Sequence, residues 1–89
     1  MSSTLTAMPT STHRLTLLSK PGCHLCDEAR AVLQRVAAEL GVPLEERDIT
    51  RSEADFVEYG DRIPVTLIDG QEHDFWRVNE ERLRAALAG

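Results

Sequence analysis

The sequence predicts a single α/β domain in which a four-stranded mixed sheet is flanked by helices. Three observations carry that expectation. Periodicity and turn punctuation give the element order β-α-β-α-β-β-α. The first strand–helix–strand unit requires a right-handed crossover between parallel strands. Asp69-Gly70 is a strong type I′ hairpin signal, so the last two strands are antiparallel.

The first strand is Arg14 to Leu18, an apolar run suited to the middle of a sheet. Pro21-Gly22 ends it. A long helix follows from about Cys23 to Leu40, with an apolar stripe at Leu25, Ala29, Val32, Leu33, Val36, Ala37 and Leu40. Asp27 and Glu28 suit its first turn, Gly41 its left-handed cap, and Pro43 forbids continuation. Leu44 to Ile49 is the second strand. Glu45, Glu46, Arg47 and Asp48 make it a charged strand, which belongs at a sheet edge.

Thr50-Arg51-Ser52-Glu53 reads as a capping box for a short helix ending near Tyr59-Gly60, with Phe56 and Tyr59 packing around it. Ile63 to Ile68 is the third strand, with Pro64 near its start, where a strand tolerates proline. Gln71 to Trp76 returns as the fourth. Asn79 caps the last helix, Val78 and Leu83 form a hydrophobic staple, and Leu83, Ala86 and Leu87 make the buried stripe.

Residues 1–13, mostly Ser, Thr and Pro after the first Met, read as a disordered tail or an extension created by start-site choice. Residues 14–89 form the domain. The tail has neither the basic nor the apolar region of a secretory signal, so a cytoplasmic location is expected. A net charge of −5 without a basic stripe argues against nucleic acid, and no apolar run is long enough to span a bilayer. A monomer is expected.

Both cysteines and the only lysine fall in Ser19-Lys20-Pro21-Gly22-Cys23-His24-Leu25-Cys26, between the first strand and the long helix. A close cysteine pair in a reducing compartment is redox-active or metal-binding more often than a staple. The ring it closes is too small to add much unfolded-state entropy. At a helix N-terminus, free backbone N–H groups favour a thiolate over a thiol. Bringing such a thiol near neutrality needs only about 2 kcal/mol of preferential stabilisation. Lys20 and a protonated His24 add positive charge, whereas Asp27 and Glu28 oppose it. A moderately acidic Cys23 is therefore expected as the attacking thiol. Cys26, one turn on along the same face, is expected to be more buried and to resolve the mixed disulfide.

The alternative is half of a zinc site, which needs two further ligands. The histidines are His13 in the tail, His24 inside the motif and His73 in mid-strand. A four-ligand site is hard to build from these, although a carboxylate or a second chain could complete one. No metal is expected. His24 is either a thiolate-tuning group or a surface residue of the first turn. His73 is assigned no role.

With the element order, Cys23-His24-Leu25-Cys26 and Ile63-Pro64 in view, the chain resembles the glutaredoxin-like members of the thioredoxin superfamily. The resemblance spans about Arg14 to Leu87. It implies a thioredoxin fold and dithiol thiol–disulfide exchange, with no bound cofactor. It also implies a cis Pro64 facing the cysteines and an Ile63 backbone that pairs with substrate. The residues alone equally allow a trans proline opening a strand. Lys20 matches the lysine that contacts a glutathione carboxylate in glutaredoxins; by itself it is also an ordinary solvated lysine.

Two departures stand out. His24 and Leu25 replace the usual Pro-Tyr between the cysteines. Phe75-Trp76-Arg77-Val78-Asn79 has no Gly-Gly loop before the last helix. Glutathione or another low-molecular-weight thiol is left as co-substrate, with small-thiol or protein disulfides as partners. The hairpin brings Trp76 and Arg77 back beside Pro64. Trp76 is then either a wall of the substrate groove or packed under the last helix. Arg77 either binds a substrate carboxylate or is solvated. The alternative to an enzyme is a binding or redox-sensing module using C-x-x-C as metal ligand or passive disulfide.

Overall fold

The computed structural model describes residues 13–88. The expected tail lies outside the described residues, apart from His13. His13 Nδ1 contacts Asp69 Oδ2 at 2.6 Å, and the Arg14 N–H donates to Asp69 Oδ1 at 2.8 Å. The start of the domain is thus tied to the hairpin turn.

The elements are β1 (Leu15–Ser19), α1 (His24–Leu40), β2 (Leu44–Asp48), a 3₁₀ turn (Ile49–Arg51), α2 (Glu53–Tyr59), β3 (Val65–Ile68), β4 (Gln71–Phe75) and α3 (Glu80–Ala88). The sheet order is β2-β1-β3-β4. β1 pairs parallel with β2 from Leu15↔Leu44 to Ser19↔Asp48 and antiparallel with β3. β3 and β4 are antiparallel. Order and strand directions are those of a thioredoxin fold, with charged β2 at an edge as expected.

Successive strand residues face opposite sides of the sheet. Leu15 and Leu17 pack with Ala29, Leu33, Val36 and Ala37 of α1 and with Leu83 and Leu87 of α3. Leu18, Val65 and Leu67 build a second cluster with Ile49, Ile63 and Cys26, joined by Cys23 and Tyr59. Each fully buried leucine contributes roughly 1.5–3 kcal/mol over an exposed one. The cysteine pair is therefore anchored in a core cluster.

Several boundaries differ from expectation. β1 runs one residue further, to Ser19. Ile49 leaves β2 for the 3₁₀ turn and is buried there. Thr50 does not cap α2. Asp48 captures it, accepting from its N–H at 2.8 Å and its hydroxyl at 2.6 Å. Ser52 is the cap, accepting from the Asp55 N–H at 3.2 Å. The cap thus falls two residues later than expected and is a simple serine cap, since the Asp55 carboxylate accepts from Arg47 at 3.2 Å and the Ser52 N–H donates to the Ile49 carbonyl.

α2 buries none of its residues, and Phe56 is exposed rather than packed. Tyr59 alone of its residues joins the second cluster. In α3, Leu83 and Leu87 are buried but Ala86 is exposed, so the apolar stripe is narrower than expected. In α1, Leu25, Val32 and Leu40 are only half-buried.

The hairpin turn has Asp69 at φ 54° and Gly70 at φ 84°, the two positive values a type I′ turn requires. Further along, Thr66 opposes Asp74 while Leu67 opposes Glu72, so His73 is the extra residue of a β-bulge. β4 stops at Phe75 because Trp76 adopts φ 63°. β3 begins at Val65, after the cis Ile63–Pro64 peptide bond.

Candidate active site

β1 delivers the chain to the site, and the Pro21-Gly22 turn redirects it. Gly22 has φ 76°, the left-handed value that a Pro-Gly turn demands at its glycine. Cys23 is the N-cap of α1, with φ −94° and ψ 113°, and its Sγ accepts from the Cys26 N–H at 3.2 Å. A helix amide thus points at the sulfur, which is the arrangement that stabilises a thiolate. The two sulfurs lie at disulfide distance, with Cα atoms 5.2 Å apart. Cys23 is half-buried, whereas Cys26 has no exposed surface.

Ion pairs hold the motif from both sides. On one side, Arg30 pairs with Asp27 at 2.7 Å and with Glu46 of β2 at 2.7 Å. Glu46 also accepts from the Ser19 hydroxyl at 2.7 Å. These bonds, Arg30 first, lower the Glu46 pKa. The bridge ties the first turns of α1 to β2 and to the end of β1, so it fixes the geometry of the turn between. Lys20 is exposed beside it, lining a cavity of about 380 Å³ with Ser19, Pro21, Arg30, Glu46 and Asp48.

On the other side, Glu28 contacts His24 Nε2 at 3.5 Å and Arg77 Nη1 at 3.2 Å. The His24 side chain is 86% exposed. Its contact is with a carboxylate, so a protonated His24 would be partly neutralised.

Trp76 and Arg77 reach the neighbourhood that the hairpin geometry predicts. The Trp76 N–H donates to the Pro64 carbonyl at 2.8 Å, and its indole N–H to the Asp61 carbonyl at 3.4 Å. Trp76 is 53% exposed, so it is not packed under α3. With Phe75, Leu25, Ile63 and Arg77 it lines a groove of about 390 Å³. The Phe75 and Trp76 rings meet edge to face, with centroids 5.0 Å apart.

Sequence reasoning missed Phe75 and the double role of Glu28. The His24–Glu28 spacing of four on a helix was a usable signal for one contact. Nothing local pointed to Arg77, 49 residues away. Among the described residues, no group of three or more His, Cys, Asp or Glu is placed to hold a metal ion.

A C-x-x-C pair at disulfide distance, capping the first helix of a four-stranded mixed sheet and packed in one cluster with Ile63, defines a thioredoxin-fold protein with a close cysteine pair. Residues 14–88 match the glutaredoxin-like domain (DUF836), and the chain belongs to that family. The chain is 39% identical to the uncharacterized protein Rv0508 of Mycobacterium tuberculosis over 77 residues, covering 81% of this chain and 79% of that protein. The X-ray structure of target protein XcR50 from X. campestris is 35% identical, with a TM-score of 0.69, covering 83% of this chain and 95% of that one. The Fasciola hepatica thioredoxin superposes with a TM-score of 0.63 at 20% identity, covering 96% and 86% of the two chains, a likeness of fold.

Proposed function

We propose that the protein is a dithiol thiol–disulfide oxidoreductase of glutaredoxin type. The observation that carries this reading is the asymmetry of the pair. Cys23 is reachable and receives a helix amide, while Cys26 is sealed beneath it.

The Cys23 thiolate attacks one sulfur of a substrate disulfide. The substrate S–S bond breaks, the departing thiolate takes up a proton, and a mixed disulfide remains on Cys23. Cys26 then loses its proton and attacks Cys23 Sγ, which releases the second substrate thiol. The substrate gains two electrons, and the protein is left with the Cys23–Cys26 disulfide. Two molecules of glutathione or another low-molecular-weight thiol return it to the dithiol and become a disulfide themselves. No bound cofactor is needed.

In this reading Ile63 and Pro64 shape the substrate side of the site, and Trp76 forms one wall. Lys20 offers a cation to a substrate carboxylate. Arg77 does so only by exchanging its contact with Glu28. His24 tunes the Cys23 thiolate weakly, because Glu28 shares its charge. The enzyme acts as a cytoplasmic monomer.

The experiment is to treat a Cys26→Ser variant with glutathione disulfide at neutral pH and follow intact mass. Rapid, pH-dependent gain of one glutathione on Cys23 is expected. Slow reaction with both glutathione disulfide and a small alkylating reagent sinks the enzyme reading and leaves a binding module.

A further inference from the structure

The carboxylates near the cysteine pair are not used alike. Asp27 and Glu46 share Arg30, at 2.7 Å each, so that flank is closed on itself. Glu28 is committed elsewhere. Its Oε1 accepts from Arg77 Nη1 at 3.2 Å, and its Oε2 lies 3.5 Å from His24 Nε2. One oxygen meets a residue between the cysteines, and the other meets the segment that follows β4.

The fold does not require that second contact. The Glu28 and Arg77 side chains are 50% and 76% exposed, and ion pairs that open to water contribute little to stability. A carboxylate suits the start of a helix wherever its side chain reaches. Here it reaches a residue 49 positions away.

The contact does change the electrostatics of the site. Arg77 is the cation lining the groove beside Cys23, and Glu28 is its one ion-pair partner among the described residues. A lone guanidinium there would draw in anionic substrates. Paired with a carboxylate it presents a dipole without net charge. An anion that takes Arg77 must also displace Glu28 and stay near it, and like charges repel. The remainder of the chain does not compensate, because its net charge is −5. On the opposite flank Lys20 has no ion pair among the described residues, so the effect belongs to the Arg77 side alone.

We infer that Glu28 sets which disulfides reach Cys23. By holding Arg77 it disfavours those with a carboxylate on the Arg77 side of the attacked sulfur, and it favours neutral and cationic ones. Glu28 is thus a positioning residue that acts through Arg77. This rests on the exchange chemistry proposed above, which is unchanged. Cys23 bonds to one sulfur of whichever disulfide docks, and the other sulfur leaves as a thiolate and takes up a proton.

The test uses the Cys26→Ser variant of the full chain, with and without Glu28→Gln, and follows mixed-disulfide formation by intact mass. The probes are glutathione disulfide, which is anionic, hydroxyethyl disulfide, which is neutral, and cystamine, which is cationic. Each rate is divided by that of the neutral probe. A change in Cys23 reactivity transmitted through His24 acts on all three probes and cancels in the ratio. Glu28→Gln is expected to raise the glutathione disulfide ratio about threefold and to lower the cystamine ratio by a similar factor, the scale of an exposed ion pair. Both shifts are expected to shrink in about 0.5 M salt, which screens exposed charges. In an Arg77→Gln background, the gain from Glu28→Gln is expected to fall toward one.

Ratios unmoved by Glu28→Gln overturn the inference while leaving exchange intact. So does a gain of full size without Arg77, since Glu28 then acts by its own charge. Shifts of full size in high salt overturn it as well. If no probe adds to Cys23 in the Cys26→Ser variant, exchange itself fails and this inference falls with it.

Discussion

The Cys26 amide donates to Cys23 Sγ at 3.2 Å, while the Cys26 side chain has no exposed surface. One residue thus directs an amide at the half-buried sulfur and holds a second, sealed sulfur beside it. The division of labour follows from a helical spacing of three and from the second core cluster, to which Cys26 belongs.

Reactivity should therefore be split between the two thiols. In the reduced protein at pH 7, Cys23 is expected to alkylate on the order of tenfold faster than an unstructured cysteine, with Cys26 reacting only after unfolding. Peptide mapping after timed iodoacetamide quenching measures both. Equal labelling of the two residues would reverse or remove the assigned roles.

Acid should destabilise the fold through identifiable carboxylates. The Glu46 pKa lies below 4.5, first through its hydrogen bond from Arg30. Asp69 is lowered first by His13, and Glu80 first by Arg35. Each is depressed in the folded state. Its contribution is present above the unfolded value and disappears as pH falls through the folded one. Urea midpoints are expected to drop below about pH 4.5, and Glu46→Gln should be less stable at pH 7 with a shallower acid limb. An acid limb unchanged in Glu46→Gln would show that the Arg30 bridge is not part of it.

Gly60 sits at the end of α2 with φ −56°, so its backbone conformation suits any residue. Close approach is what requires glycine there. A Cβ would stand 2.6 Å from the Phe56 carbonyl oxygen, and a backbone atom cannot swing away. Gly60→Ala is expected to lower stability by about 1–3 kcal/mol, the usual cost of overpacking, measured by denaturant unfolding. A neutral or stabilising result would mean the helix end relaxes freely.

Leu83 and Ala86 share a helix but differ in depth. Leu83 has no exposed surface and belongs to the first cluster, whereas Ala86 faces outward. Leu83→Ala is expected to cost about 2–5 kcal/mol. Ala86→Lys should stay within about 0.5 kcal/mol of the parent. Thermal or urea unfolding of the two variants side by side checks the contrast, and similar losses in both would contradict the placement of α3.

The features legible in the sequence were those set by neighbours along the chain. Gly22, Gly41 and Asp69-Gly70 each mark a left-handed turn, and all four residues have positive φ. The core of the α1 stripe, Ala29, Leu33, Val36 and Ala37, is buried as its period implies. The charged β2 lies at an edge, where Glu45 stays exposed and Arg47 reaches Asp55 at 3.2 Å. Local chemistry also offered false choices. Thr50 and Ser52 both begin capping patterns, and only the position of Asp48, at the end of a strand paired to β1, decides between them.

By itself, the sequence determined the strand–turn–helix that carries Cys23 and Cys26, the hairpin, and the element order. Turn geometry and hydrophobic period act over a few residues and survive in any context. Tertiary structure decided which sulfur is sealed, that Trp76 stays in the open, and that Glu28 holds Arg77. It also decided that Arg30 spans 16 residues to Glu46. These depend on a bulge at His73, a strand register and the packing of two clusters. Their partners are distant in sequence, and a difference of one residue in register would part them.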